Sequence, residues 1–170
     1  VGVMRIGDFY RRYTGCRDIP EGDAAWLRIP EHLLAAAVSG EVFRDGLGEF
    51  SRIRSGLLPC YPEDVRLKKL AARLFTMAQA GQYNYGRIMK RHDAAAAALA
   101  LSEFARAALS AVHLLNRRYM PYYKWAFRSA RRLPLLSDVV TELDALFLPE
   151  TDREALIETI CSRVSEFLKK

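Results

Sequence analysis

The sequence lacks the short motifs that carry most nucleotide chemistry. Its 170 residues contain no Gly-Ser followed by Asp-x-Asp, the paired carboxylates that hold two metal ions for nucleotidyl transfer. A Walker glycine loop and a dinucleotide-binding fingerprint are also missing, since Gly46-Leu47-Gly48 has no third glycine. We therefore predict no catalytic residue and no directly bound metal or cofactor. Mg²⁺ and a nucleoside triphosphate are expected only if a catalytic domain is supplied.

Cysteine, long apolar runs and targeting signals are also scarce. Cys16, Cys60 and Cys161 are odd in number and far apart, which favours reduced, buried thiols over disulfides or a metal site. No uninterrupted apolar run approaches the roughly 18–20 residues of a membrane span. The first residues lack the layout of a signal peptide. These absences predict a cytoplasmic protein with no membrane partner.

What the sequence does have is an uneven distribution of charge. Residues 1–60 hold 8 Lys/Arg and 8 Asp/Glu, residues 61–132 hold 14 and 4, and residues 133–170 hold 4 and 8. The net charges of these parts are 0, +10 and −4. A basic middle segment favours a local anionic partner such as phosphate, while a solvated basic helix face would give the same counts.

The first 60 residues predict a small α+β extension. A short helix ends near Gly15, and Pro30 begins another that Gly40 ends. Residues 41–44 and 49–53 flank Asp45-Gly46-Leu47-Gly48, a pattern typical of a β-hairpin. Proline residues at 59 and 62 place the boundary of this extension near residue 60.

Residues 61–170 predict an antiparallel helical bundle. Pro62 is predicted to lie in the first turn of a long helix. The buried face of this helix is predicted to contain Leu67, Leu70, Leu74, Met77, Gly81, Tyr85 and Ile88. Asp93 is expected to cap a second helix that runs to about Arg118, and Pro121 begins a third. Ser137 and Thr151 are predicted to cap two more, the latter in a capping box with Glu154. Five helices with short connections favour a bundle.

The first long helix carries a basic stripe beside an aromatic side chain. Residues three and four apart share a helix face, so cations and a tyrosine lie together near its end. Such a face can bind phosphates and stack a base, although most basic stripes only face solvent. The candidate binding residues here are Tyr83, Asn84, Arg87 and Arg91.

The second candidate region lies where the second helix ends. Residues 116–128 contain five aromatic and four cationic side chains around Pro121, the composition that base stacking and phosphate binding require. Polar residues form a line along the second helix, and this line has two interpretations. It faces a ligand, or it consists of a Glu103–Arg106 ion pair and a histidine whose hydrogen bonds are made within the protein. The candidate binding residues here are His113, Asn116, Arg117, Tyr119, Tyr122, Tyr123 and Lys124.

Several motifs resemble one bacterial family of domains of unknown function. They are Gln-Ala-Gly-Gln-Tyr-Asn-Tyr-Gly-Arg at 79–87, the 114–125 segment, Leu133-Pro134, and the shorter segments at 26–27, 29–31 and 40–45. The resemblance covers about residues 5–148. The family follows a nucleotidyltransferase-like domain in longer proteins, which implies a helical substrate-binding domain like those of kanamycin-type enzymes. It implies a nucleotide, RNA or small-molecule acceptor as partner, with a nucleotidyltransferase domain in cis or in trans.

Two other functions remain open from the sequence. A four-helix ribonuclease of the HEPN type carries Arg followed by His after four to six residues, as Arg87 and His92 or Arg106 and His113 do here. The spacing is loose in a chain with 26 Lys/Arg. The other alternative is a purely structural or dimerisation module, which would form a homodimer and use its charge for solubility.

Overall fold

A computed structural model of the chain describes residues 2–169, which are mainly helical. The described range contains no β-strand. The helices are α1 (Ile6–Thr14), α2 (Gly22–Arg28), α3 (Glu31–Ala37), α4 (Glu49–Leu57), α5 (Glu63–Met77), a π-helical segment (Ala78–Tyr85), α6 (Gly86–Met89), α7 (Ala94–Leu115), α8 (Tyr123–Ala130), α9 (Ser137–Ala145) and α10 (Arg153–Leu168).

The predicted β-hairpin is wrong, because its turn begins a helix instead. Gly48 has a φ of 73°, as a tight turn requires, but α4 follows it directly. The Asp45 carboxylate accepts hydrogen bonds from the backbone N–H of Gly48 at 3.0 Å and of Ser51 at 2.7 Å, which stabilises the helix start. Ile53 and Leu57, four residues apart, are buried, so the apolar period here is that of a helix.

The long helix begins at Glu63, one residue after the predicted start at Pro62, and continues through the π-helical segment into α6. It runs antiparallel to α7. Near the start of α5, Arg66 donates to the carbonyl of Leu114 at 3.2 Å, and two turns further along α5 Arg73 donates to Ser110 at 3.0 Å. Near the other end, the position of Gly81 lies against Phe104.

The π-helical segment depends on glycine for its close packing. A Cβ atom at Gly81 would lie 2.5 Å from the Phe104 ring and 2.8 Å from a methyl carbon of Ile157. The segment therefore packs between α7 and α10 only because this position has no side chain. The predicted buried face holds at Leu70, Met77, Gly81 and Tyr85, whereas Leu67 is exposed.

The observed N-cap residue is the predicted one at one helix and differs by one position at two others. The Asp93 carboxylate accepts from the N–H of Ala96 at 2.9 Å, as predicted. Asp152, and not Thr151, caps α10, because the Thr151 hydroxyl donates to the carbonyl of Ala145. Ser137 is the first residue of α9 and makes no capping hydrogen bond.

The hydrophobic core runs without a break from the first 60 residues into the rest of the chain. It joins Tyr10, Leu34 and Leu57 to Phe104 and Ile160. Helix α7 lies at its centre. An 18-residue stretch of α7 has a mean hydropathy of 1.4. By length and composition alone α7 would therefore suit a membrane span, although the sequence predicted no apolar run of that length. It is 56% buried within the protein, as a core helix is.

The cysteines are free thiols. Cys60 is buried, whereas Cys16 and Cys161 are half-buried. Burial raises the pKa of Cys60 and of Cys161 to about 11, which keeps both thiols protonated at neutral pH.

Candidate functional site

The predicted site residues lie at two opposite ends of the antiparallel pair formed by α5–α6 and α7. Arg66 marks one end, beside Leu114, and Arg87 lies 21 residues further along the continuous helix. At 1.5 Å per residue the two ends are about 30 Å apart. Residues 83–91 and residues 113–124 therefore do not line one cleft.

At the α6 end, Tyr83 and Arg87 form an exposed stacked pair. The guanidinium carbon of Arg87 lies 4.0 Å from the centroid of the Tyr83 ring, and the tyrosine is 57% exposed. Asn84 is half-buried and Arg91 is exposed. The cations here follow one helix and its end as a stripe, while a pocket of about 460 Å³ beside them is lined by Asn84, Ile88 and Leu99 and by no cation.

At the other end, two of the predicted residues are buried and bonded within the protein. His113 is fully buried; its Nδ1 lies 2.7 Å from the carbonyl oxygen of Leu109, and its Nε2 lies 3.0 Å from Ser129 Oγ. Tyr119 donates its hydroxyl to the carbonyl of Leu57 at 2.8 Å. In this structure neither His113 nor the Tyr119 hydroxyl faces solvent.

Asn116 and Arg117 use their side chains to fix neighbouring segments. The Asn116 amide donates to the carbonyl of Leu135 at 3.0 Å, and its oxygen accepts from the N–H of the same residue at 2.9 Å. Arg117 lies 2.9 Å from the Glu63 carboxylate. Arg66 and, less strongly, Arg117 lower the pKa of Glu63 to about 2. These contacts fix the chain on either side of the 117–122 loop.

Tyr122, Tyr123 and Lys124 are the predicted residues that face solvent at this end. The two tyrosine rings lie 4.5 Å apart, and Tyr122 also meets the ring of His32 at 5.8 Å. The Lys124 ammonium lies 5.6 Å from the centre of the Trp125 ring. Of this aromatic cluster, Trp125 also lines a groove.

The groove has a volume of about 430 Å³ and lies between α3, the 117–122 loop and α8. Its lining combines three arginines with aromatic and aliphatic side chains and contains no carboxylate. The lining residues are Ala35, Val38, Leu58, Arg118, Tyr119, Pro121, Trp125, Arg128, Ser129, Arg132 and Leu133. We call this the arginine groove.

The three arginines of the groove converge from three neighbouring segments. Arg128 lies on the last turns of α8, Arg132 lies in the turn that follows α8, and Arg118 reaches in from the loop. Within residues 2–169 none of their guanidinium groups makes an ion pair or a side-chain hydrogen bond. The Arg128 guanidinium carbon lies 5.9 Å from the centre of the half-exposed Trp125 ring.

A buried carboxylate holds the loop that carries Arg118. Glu31, the first residue of α3, accepts from the N–H of Met120 at 2.9 Å and from the Ser110 hydroxyl at 2.7 Å. Arg73 donates to the same hydroxyl at 3.0 Å. Burial raises the pKa of Glu31, and the hydrogen bonds from Met120 and Ser110 oppose that rise. The first 60 residues thus position one wall of the groove.

Sequence reasoning flagged the segment around Pro121 but missed Arg132, Ser129 and the aliphatic wall. The i, i+4 spacing of Arg128 and Arg132, one turn after Trp125, was a usable local signal. Ala35, Val38 and Leu58 reach the groove only through tertiary packing and left no signal. Arg106 pairs with Glu103 at 2.7 Å, as one account of α7 predicted. No group of three His, Cys, Asp or Glu in residues 2–169 is placed to hold a metal ion.

Comparison with known proteins gives a family match. Residues 26–126 match the family described as a domain of unknown function, DUF4037. The matched residues include α3, the whole α5–α6 helix, α7 and the loop with Arg118. No curated protein and no solved structure matches the chain.

Proposed function

The chain belongs to the DUF4037 family, and on that premise we propose that it is an accessory helical module that binds a nucleotide in the arginine groove. The module would act with a nucleotidyltransferase domain, in cis or in trans, as a substrate-binding domain. The observation that carries the proposal is the set of three arginines without carboxylate partners beside a half-exposed tryptophan.

Phosphate is the anion that best fits these side chains. Guanidinium groups donate two parallel hydrogen bonds to phosphate oxygens, and such charge-assisted bonds are roughly twice as strong as neutral ones. Three cations with no carboxylate among the lining residues leave net positive charge for a ligand to neutralise. Apolar lining residues such as Val38 and Leu133 reduce the exposure of bound phosphates to water.

An aromatic surface for a base lies beside the cations. The Trp125 ring is 49% exposed and lines the groove, while Tyr122 and Tyr123, shortly before it in the chain, are 48% and 68% exposed. Stacking of a base on an aromatic ring contributes about 1–3 kcal/mol and tolerates any base. A volume near 430 Å³ lies within the usual range for small-ligand sites.

The link to a nucleotidyltransferase rests on the motifs at 79–87 and 114–125, which resemble a family that follows such domains. The second of these motifs lies at the arginine groove. A catalytic partner would supply the metal-binding carboxylates, Mg²⁺ and the chemistry, while this module would hold the nucleotide or its acceptor.

The experiment is calorimetric titration of the purified protein with ATP, and separately with a short single-stranded RNA. Wild type is compared with Arg128→Gln/Arg132→Gln and with Lys90→Gln/Arg91→Gln. Both variants remove two positive charges, but the second lies about 30 Å away at the α6 end. We expect the groove variant to weaken ATP binding at least about tenfold, since each lost contact to a charged group costs about 1.5–3 kcal/mol.

The control variant is expected to bind ATP within about threefold of wild type, because charges that far away are screened at physiological salt. Equal weakening by both variants would mean that only net charge attracts the ligand. If wild type binds neither ATP nor RNA, even with its catalytic partner present, the proposed function is wrong and the structural or dimerisation alternative gains.

A further inference from the structure

One wall of the arginine groove carries a hydroxyl group that is hydrogen-bonded to a buried imidazole. Ser129, on the last turn of α8, lines the groove, and its Oγ lies 3.0 Å from Nε2 of His113. His113 lies behind it on α7 and is fully buried. A serine open to a charged groove therefore contacts a base that solvent does not reach.

The hydrogen bonds define which atom carries the proton. The carbonyl oxygen of Leu109 can only accept, so Nδ1 of His113, 2.7 Å away, is the protonated nitrogen. Nε2 of the neutral ring then has a free lone pair and accepts from the Ser129 hydroxyl. Within residues 2–169 the Ser129 hydroxyl has no other hydrogen-bond partner.

We propose that Ser129 is a nucleophile that His113 activates, and that it takes a phosphoryl group from a nucleoside polyphosphate held by Arg118, Arg128 and Arg132. In covalent catalysis by serine, the nucleophilic hydroxyl is hydrogen-bonded to a base, and a third group orients that base. Here the carbonyl of Leu109 orients the imidazole, and the arginines provide the positive charge that the transferring phosphoryl group requires.

The step balances with no further reactant. Ser129 Oγ forms a bond to the terminal phosphorus while the bond from that phosphorus to its bridging oxygen breaks. The leaving group is the nucleoside diphosphate, which takes the electron pair of that bond. The hydroxyl proton of Ser129 passes to Nε2 of His113, and the product is a phosphoserine in the arginine groove.

The neutral state of His113 suits this role. Burial lowers the pKa of His113 below 6.5, although the hydrogen bond to Leu109 opposes the shift, so the ring is unprotonated at pH 7. Three guanidinium groups in the same groove would stabilise the phosphoserine product through bidentate hydrogen bonds. The identity of the phosphoryl donor rests on the proposed function, whereas the activation of Ser129 rests only on the serine–histidine geometry.

Labelling with a fluorophosphonate tests the activation of Ser129 directly. The serine oxygen attacks the phosphorus, fluoride leaves, and the adduct is located by peptide mass spectrometry. Ser102 is exposed on α7 and provides a control within the same molecule. We expect Ser129 to be labelled at least about 100 times faster than Ser102, the lower range for general-base assistance. Equal rates at the two serines would overturn the inference.

Two variants sharpen this test. His113→Gln is expected to lower the labelling rate of Ser129 by about 100-fold, because an amide cannot accept the proton. Ser102→Ala should leave labelling at Ser129 unchanged. Because His113 lies in the core, the rate ratio of the two serines in the wild-type protein decides the matter if His113→Gln does not fold.

The donor is tested by incubating the protein with Mg²⁺ and ATP labelled at its terminal phosphate. Radiolabel at Ser129 that is absent in Ser129→Ala supports the transfer. If the protein binds ATP but neither reagent labels Ser129, the proposed function stands and the nucleophilic role of Ser129 is overturned. Rapid fluorophosphonate labelling without ATP binding retains the activated serine and overturns both the nucleotide donor and the proposed function.

Discussion

The two ends of the α5–α7 pair have similar compositions but present them differently. At the α6 end, Tyr83 and Arg87 stack on each other along one helix and face open solvent. At the other end, arginines from a loop, from α8 and from the turn after α8 line a groove, and Glu31 fixes the loop through Met120. Both ends combine aromatic rings with cations and both have pockets, but only at the second do three arginines line one groove.

The difference comes from the backbone connections. A straight helix spreads its cations about 5 Å apart along a convex face, so a small ligand meets one or two at a time. Helix α7 ends at Leu115, earlier than the predicted end near Arg118, and the loop between it and α8 brings residues 118, 125, 128 and 132 around one volume. Convergence of charge, and not its amount, therefore distinguishes the candidate site from the stripe.

The largest expected effect is at Glu31, whose removal should damage the groove end. Glu31→Ala leaves the Ser110 hydroxyl and the N–H of Met120 without their buried acceptor, which we expect to lower the free energy of unfolding by about 3 kcal/mol. Urea denaturation measures it. Glu41→Ala is the control, since Glu41 is exposed and its replacement should cost less than about 0.5 kcal/mol. An equal loss in both variants would contradict the role given to Glu31.

A smaller effect is expected at Gly81, which tests the packing of the π-helical segment near the α6 end. In Gly81→Ala the new methyl group would overlap Phe104 and Ile157, both in the core, so we expect a loss of about 2 kcal/mol. Gly46→Ala is the matched control, because nothing lies within 4 Å of its added Cβ. Thermal unfolding of the two variants compares them, and a stable Gly81→Ala would show that the close packing is not required.

The smallest effect is expected at Tyr83. Because its ring is exposed and stacks only on Arg87, Tyr83→Ala should change the free energy of unfolding by less than about 0.5 kcal/mol. ATP affinity should stay within about threefold of wild type, since the nucleotide is proposed to bind about 30 Å away. A tenfold loss of ATP affinity, measured by calorimetry, would instead place the ligand at the α6 end.

Much of the fold could be predicted from local signals. Pro62 and Asp93 mark helix starts because proline and aspartate act on the adjacent turn alone. The Asp45-Gly46 segment led to the wrong prediction of a β-hairpin, because the same turn residues can precede either a second strand or a helix. The burial of Ile53 and Leu57 decides between them, and that burial depends on residues far away in the sequence.

The candidate site was only half predictable. The segment around Pro121 was recognisable from its aromatic and cationic composition, and it supplies Arg118 and Trp125 to the groove. Its wall from α3, and the carboxylate of Glu31 that holds the loop, come from a segment about 90 residues earlier in the chain. His113 was named as a ligand-facing residue, but its burial behind Ser129 follows from the packing of α8 on α7.

The indole N–H signals of the two tryptophans provide the most direct measurement of ligand binding at the arginine groove. Trp125 lines the groove and is half exposed, whereas Trp26 is buried against Tyr61 and serves as an internal control. Titrating isotope-labelled protein with ATP and recording nitrogen–proton correlation spectra follows both signals. The proposal predicts that the Trp125 signal shifts in a saturable way while the Trp26 signal stays in place. A stationary Trp125 signal, with shifts confined to the backbone amides of Tyr83 and Arg87, would contradict it.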